Sequence, residues 1–180
     1  MSDTGAILSP CGMYRYVLWR SAIALDTESG AMLSGNLLWV MLNPSTADAT
    51  ENDPTIRKVI GFTHRWGFAN ARVVNLWALR STDWRALRVH NDIVGPENDA
   101  HIAEEARRAD AIVYAWGTHA ADVDRARRTV RVRTVRRLIE TIVLDERIGD
   151  CPVWTLGETK RGAFEHPLMV PYARPRGTVL

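Results

Sequence analysis

A few side chains stand where their chemistry is hard to explain by packing alone. Asn43 closes an apolar run, is followed by Pro44 and Ser45, and has Asp48 five residues on. The proline biases Asn43 toward an extended backbone. Asn75 sits inside another apolar run, VVNLW, where an amide costs about 1–3 kcal/mol unless it is hydrogen-bonded. His166 precedes Pro167 in the loop GETKRGAFEHP, and the apolar Leu168 and Met169 follow at once. Each has a plainer use as well. An Asn before Pro is a common turn device, a strand Asn can satisfy a neighbouring backbone group, and a lone loop His is more often structural. The histidines show no metal-ligand spacing, and Cys11 and Cys151 are far apart without a CxxC, so neither a metal nor a disulfide framework is expected.

Charge adds a second kind of chemistry. The net charge of +2 conceals that all but Lys58 and Lys160 of the 23 basic residues are arginine. Arg125, Arg127, Arg128, Arg131, Arg133, Arg136 and Arg137 lie in one stretch that contains no acid. A phosphate backbone explains such a gathering, and so does a solvated basic face with Asp122 and Asp124 as partners. Several enzyme classes lack their motifs: there is no GxxxxGK[ST], no GxGxxG after a strand and no GxSxG elbow.

The elements that would hold these residues repeat one grammar. A strand over 14–25 ends at the turn-like DTESG of 26–30. Apolar runs at 37–42, 72–79, 111–116 and 152–156 read as strands buried on both faces. Between them the pattern predicts a helix from Pro54 to about Trp66 capped by Asp53, another over about 97–108, and one long helix over about 120–147. Strand, polar loop and helix in alternation predict a single α/β domain over 1–180, a three-layer α/β/α sandwich with a mostly parallel central sheet. In such sheets ligands bind beyond the carboxyl ends of the strands, where Asn43, Asn75, Gly117–His119 and Gly157–Pro167 all fall. On the same rules Phe62 and Trp66 belong to a helix's core face, and His64, His90 and His101 to the surface or to packing. No leader or membrane-length apolar run is present in these 180 residues, which predicts a soluble cytoplasmic protein with no membrane partner.

The order of these motifs is similar to that of the uracil-DNA glycosylase superfamily: Leu42-Asn43-Pro44-Ser45 after one strand, Val74-Asn75-Leu76 in the next, and Glu165-His166-Pro167-Leu168 after the last. More specifically, NPSTADATENDPTIRK, VVNLWALRSTD, VGPEND and TKRGAFEHPL, within about 14–172, resemble a bacterial and phage domain family. That family includes anti-phage DNA glycosylases that remove glucosylated hydroxymethylcytosine from phage DNA. The first motif departs from the glycine-rich form of several subfamilies.

The resemblance implies a uracil-DNA glycosylase-like fold and a monofunctional glycosylase that needs no metal or other cofactor and acts on double-stranded phage DNA. Its reaction must position a water, stabilise a cationic sugar and stabilise the departing base. Asn43 would hold the water, with Asp48 as the nearby carboxylate, and either could activate it. Asn75 would read the flipped base, with Pro44 and Ser45 beside it, and His166 would donate to the base or contact a phosphate. Leu168 or Met169 would fill the gap in the stack. Arg125, Arg127, Arg128, Arg131, Lys160 and Arg161 would contact phosphates. Two other readings remain on the residues alone: a hydrolase or transferase acting on free nucleotides or nucleosides, and a non-catalytic nucleic-acid-binding module. Oligomeric state is not legible in the sequence.

Overall fold

In a computed structural model the apolar runs become neighbouring strands of one sheet; the structure describes residues 3–21, 32–45, 47, 51–145 and 151–180. Asp48 and the DTESG turn lie outside the described residues. In chain order the elements are β1 (Asp3–Leu8), β2 (Arg15–Ser21), β3 (Ser34–Met41), α1 (Pro54–Arg65), β4 (Phe68–Asn75), α2 (Asn98–Arg107), β5 (Ala111–Tyr114), α3 (His119–Arg127), α4 (Arg131–Asp145), β6 (Val153–Thr155) and β7 (Gly177–Thr178).

The seven strands run in the order β1-β2-β4-β3-β5-β6-β7. The central pairs β3–β4, β3–β5 and β5–β6 are parallel, while β1–β2, β2–β4 and β6–β7 are antiparallel. The sheet is therefore mixed: its parallel character is confined to the four strands that the apolar runs marked. The edges β1 and β7 carry no apolar run as long as those of the central strands, so the pattern gave no sign of them.

Alternation along β3 feeds two cores. Leu37, Trp39 and Met41 join Ile56, Val59 and Phe62 of α1, and Leu38 and Val40 join Ile102 of α2, Val123 of α3 and Val135, Ile139 and Ile142 of α4. Each such side chain, fully buried, contributes about 1.5–3 kcal/mol. Trp39 also donates its indole N–H to Thr63 Oγ1 at 3.0 Å, which anchors α1 through a buried polar contact. Phe62 and Trp66 are packing residues here, ranged around Trp39.

The chain leaves β3 for α1 and leaves β5 for α3, and those helices serve different cores. Neighbouring parallel strands whose connections diverge in this way open a crevice at their carboxyl ends. The long helix read over 120–147 is two helices. α3 ends at Arg128, which takes a left-handed backbone with φ 55°. The Asp124 carboxylate then accepts from Thr129 Oγ1 at 2.5 Å, Arg131 N at 2.8 Å and Val132 N at 3.1 Å, capping α4. A helix-period pattern runs through this break, because side-chain periodicity does not register one left-handed residue. Among the described residues no helix is long and apolar enough to cross a membrane.

Candidate active site

Asn43 follows β3 by two residues, and its position is fixed by lacing between two loops. Its Nδ2 donates to Ser81 O at 2.9 Å and to Pro44 O at 3.0 Å, while Ser81 N also donates to Pro44 O at 2.9 Å. With the amide nitrogen spent on backbone, Asn43 has Oδ1 to offer a ligand. Pro44 acts through its carbonyl, the shared acceptor of this lacing.

Asn75 is the last residue of β4, not an interior one, and lies in register with Met41 of β3. It is 1% exposed, and its Nδ2 has no hydrogen-bond partner. A buried donor left unpaired costs about 1–3 kcal/mol; the hydroxyls of Tyr16 and Tyr114 are left so as well, but of the three residues only Asn75 lines the cavity it shares with Asn43 and His166. Asn43, Ser45, Asn75, Asp53 and His166 all line one cavity of about 200 Å³.

His166 is set by the loops after β5 and β6. Gly117 N donates to Phe164 O at 2.9 Å, and Glu165 N donates to Gly157 O at 2.9 Å. Gly117 has φ +76°, and a Cβ there would stand 3.3 Å from the Cβ of His166, so the glycine permits this close approach. His166 Nδ1 accepts from Leu168 N at 3.3 Å. Burial pushes the imidazole down to about 4, against the pull of the Asp53 carboxylate, with His119 pushing the same way as burial. The ring is thus neutral at pH 7, and with Nδ1 accepting, its proton is assigned to Nε2.

A second cavity of about 380 Å³ adjoins the first, sharing Leu42 and His166 as walls. Trp116, Thr118, Thr159 and Glu165 line it, and Met169 stands at its edge. Trp84 of the first cavity stacks on His119 of the second, with ring centroids 4.1 Å apart and planes at 12°. Leu168 and Met169 are 46% and 78% exposed, so neither is a core residue.

Three contributors to the first cavity were not assigned to it from the sequence. Asp53 caps α1, accepting from Ile56 N at 2.8 Å, and the capping role obscured its second position on the cavity wall. Arg15 is buried in β2, donates Nη1 to Ala47 O and brings a guanidinium to the cavity. An arginine within the run YRYVLW is the same kind of signal as an asparagine within VVNLW. Trp84 carries no such signal, because an aromatic in a polar connection is unremarkable by pattern.

The basic residues divide. Arg125, Arg128, Lys160 and Arg161 are exposed, the last two in the turn between Thr159 and Ala163. Arg127 instead donates to His90 O at 2.8 Å and Asn91 O at 2.9 Å, tying α3 to the loop before α2. Arg131 is 7% exposed, donates Nε to Leu76 O at 2.6 Å and lies 2.5 Å from the Asp99 carboxylate. These two are internal ties: Arg127 reaches from the last turn of α3 to the loop before α2, and Arg131, which opens α4, reaches Leu76 after β4 and Asp99 of α2. Among the described residues no group of three or more His, Cys, Asp or Glu side chains could hold a metal ion.

The chain matches no curated protein. It matches no solved structure either. Residues 15–168 do match one family, which places the chain in DUF1643, described as a protein of unknown function.

Proposed function

We propose that this protein is a DNA glycosylase that takes a flipped, modified pyrimidine into the first cavity and hydrolyses its N-glycosidic bond, leaving an abasic site. The observation that carries the reading is the buried, unpartnered Nδ2 of Asn75 on a cavity wall shared with Asn43, Asp53 and His166. An amide offers a donor and an acceptor to the edge of a base, and a base there relieves the cost of the unpaired donor. The overall plan is that of a three-layer α/β/α sandwich of the uracil-DNA glycosylase kind, with α1 on one face and α2, α3 and α4 on the other.

Hydrolysis breaks the bond between the sugar C1′ and the base nitrogen, and the electron pair leaves with the base. His166 donates its Nε2–H to the departing base, a neutral donor that needs no proton transfer to stabilise developing negative charge. The Asp53 carboxylate and Asn43 Oδ1 stabilise the cationic sugar and orient the water that bonds to C1′; Asp53 takes the proton this water loses, and the released base anion takes up a proton from solvent. Asp48 is the alternative carboxylate for that water, and Asp48→Asn compared with Asp53→Asn distinguishes the two. The second cavity supplies room for a bulky substituent such as the glucosyl group of glucosylated hydroxymethylcytosine in phage DNA. Leu168 and Met169 occupy the vacated stack, and Arg125, Arg128, Lys160 and Arg161 meet phosphates.

The test is release of free base and appearance of abasic sites in duplexes carrying glucosylated hydroxymethylcytosine, against unmodified duplexes and free nucleosides. Excision from the modified duplex, and its loss in His166→Ala, are expected. Turnover of nucleosides alone would replace this reading with that of a nucleoside hydrolase.

A further inference from the structure

The backbone that presents Asn75 is gripped from the opposite core. Asn98 Nδ2 lies 3.1 Å from Asn75 O and 3.3 Å from Leu76 O, and Arg131 Nε lies 2.6 Å from the same Leu76 O. Asn98 opens α2 and Arg131 opens α4, and both are buried. Their helices pack with Val74 and Leu76, whereas Val73, one pleat before Asn75, faces the core of α1. On the β3 side the ladder continues past Asn75 through Leu76 N to Met41 O at 2.8 Å and Trp77 N to Leu42 O at 3.1 Å. The last turn of β4 is therefore held from both sides: by strand pairing on one and by two side chains on the other.

We infer that Asn98 and Arg131 are positioning residues: they clamp the Asn75 and Leu76 carbonyls so that the Asn75 amide is aimed into the cavity. This rests on the reading of Asn75 as the group that recognises the base. A buried arginine whose guanidinium holds a carbonyl is an expensive way to close a strand, since its desolvation must be offset. It is an effective way to fix one, because donors in a rigid fork tolerate little displacement. Recognition groups must be held to about 0.5 Å, and misplacement by about 1 Å costs on the order of a hundredfold in rate. Asp99, beside the Arg131 guanidinium, holds the fork in place from a more exposed position.

Arg131→Lys keeps the charge and loses the fork, and Asn98→Asp keeps the shape but turns acceptors toward the carbonyls. Single-turnover excision on the modified duplex should fall on the order of tenfold to a hundredfold in each. Duplex affinity and its salt dependence should stay within about twofold of wild type. In an Asn75→Ala background neither substitution should slow the residual rate further. A fall in duplex affinity with a salt slope reduced by about 0.9 in Arg131→Lys would instead make it a phosphate contact and overturn the inference. So would an undiminished rate loss in the Asn75→Ala background. Should either variant fail to fold, Asp99→Asn must show the same pattern at smaller size, and an unchanged excision rate there counts against the clamp. If the wild-type protein excises no base at all, the clamp is read apart from that failure by the Asn75 side-chain amide resonances. They should shift in Arg131→Lys and Asn98→Asp but not in Arg137→Lys, and their constancy would overturn it.

Discussion

At the scale of single residues, His166 and Gly117 act as one unit. Burial pushes the His166 imidazole from an ordinary value of 6.5 down to about 4. Between those values the unfolded chain holds more protons than the folded one, so stability rises with pH across that window and is lost on acidification. His166→Gln removes this contribution. Chemical denaturation at pH 7 and pH 4.5 should show wild type losing more stability on acidification than the variant; equal losses would mean that the imidazole is not held neutral. Gly117→Ala forces a side chain into a left-handed backbone and to within 3.3 Å of the His166 Cβ. A destabilisation of about 1–2 kcal/mol is expected from the backbone alone, measured by the same denaturation. Excision should fall further than that loss of stability explains, because His166 must move.

At the scale of elements, the break between α3 and α4 decides where Arg131 falls, at the start of a new helix. Asp124 supplies the acceptors that start α4, and Asp124→Ala should cost about 1–2 kcal/mol, as losses of N-terminal caps do. The far-UV circular dichroism should fray before the main unfolding transition. Much of this architecture is legible in the chain. The buried strands, the Asp53-Pro54 start of α1 and the placing of Asn43 and His166 in loops beyond the carboxyl ends of strands follow from apolar runs and proline and cap chemistry, whereas the end of β4 at Asn75, inside an apolar run, does not. The α3–α4 break is not legible, because Arg128 is left-handed without being Gly or Asn, the residues that usually mark such a position. The place of Arg131, which opens α4, hangs on that break. Asp53 shows the converse limit: a residue with one sufficient local explanation hides a second, non-local one.

At the scale of the whole molecule, the mixed sheet gives the protein two unequal faces and one opening. Divergence of the connections after β3 and β5 places the loops bearing Asn43 and Gly117 against each other, and the loop after β6 lays His166 between them. Of the exposed cations, which occur on several elements, Arg125 and Arg128 lie on and just after α3, and Lys160 and Arg161 in the loop after β6, the elements that also carry His119 and Thr159 of the second cavity.

If the protein is the proposed glycosylase, the unpaired Asn75 amide is kept for a base and not for the fold. Asn75→Leu replaces it with an apolar side chain of similar size, and base release should be measured on the modified duplex with protein whose thermal unfolding is recorded in parallel. The variant should be at least as stable as wild type, because a buried unpaired donor is removed, with excision reduced by about two orders of magnitude. Excision at the wild-type rate by a folded Asn75→Leu protein would contradict that use of the amide.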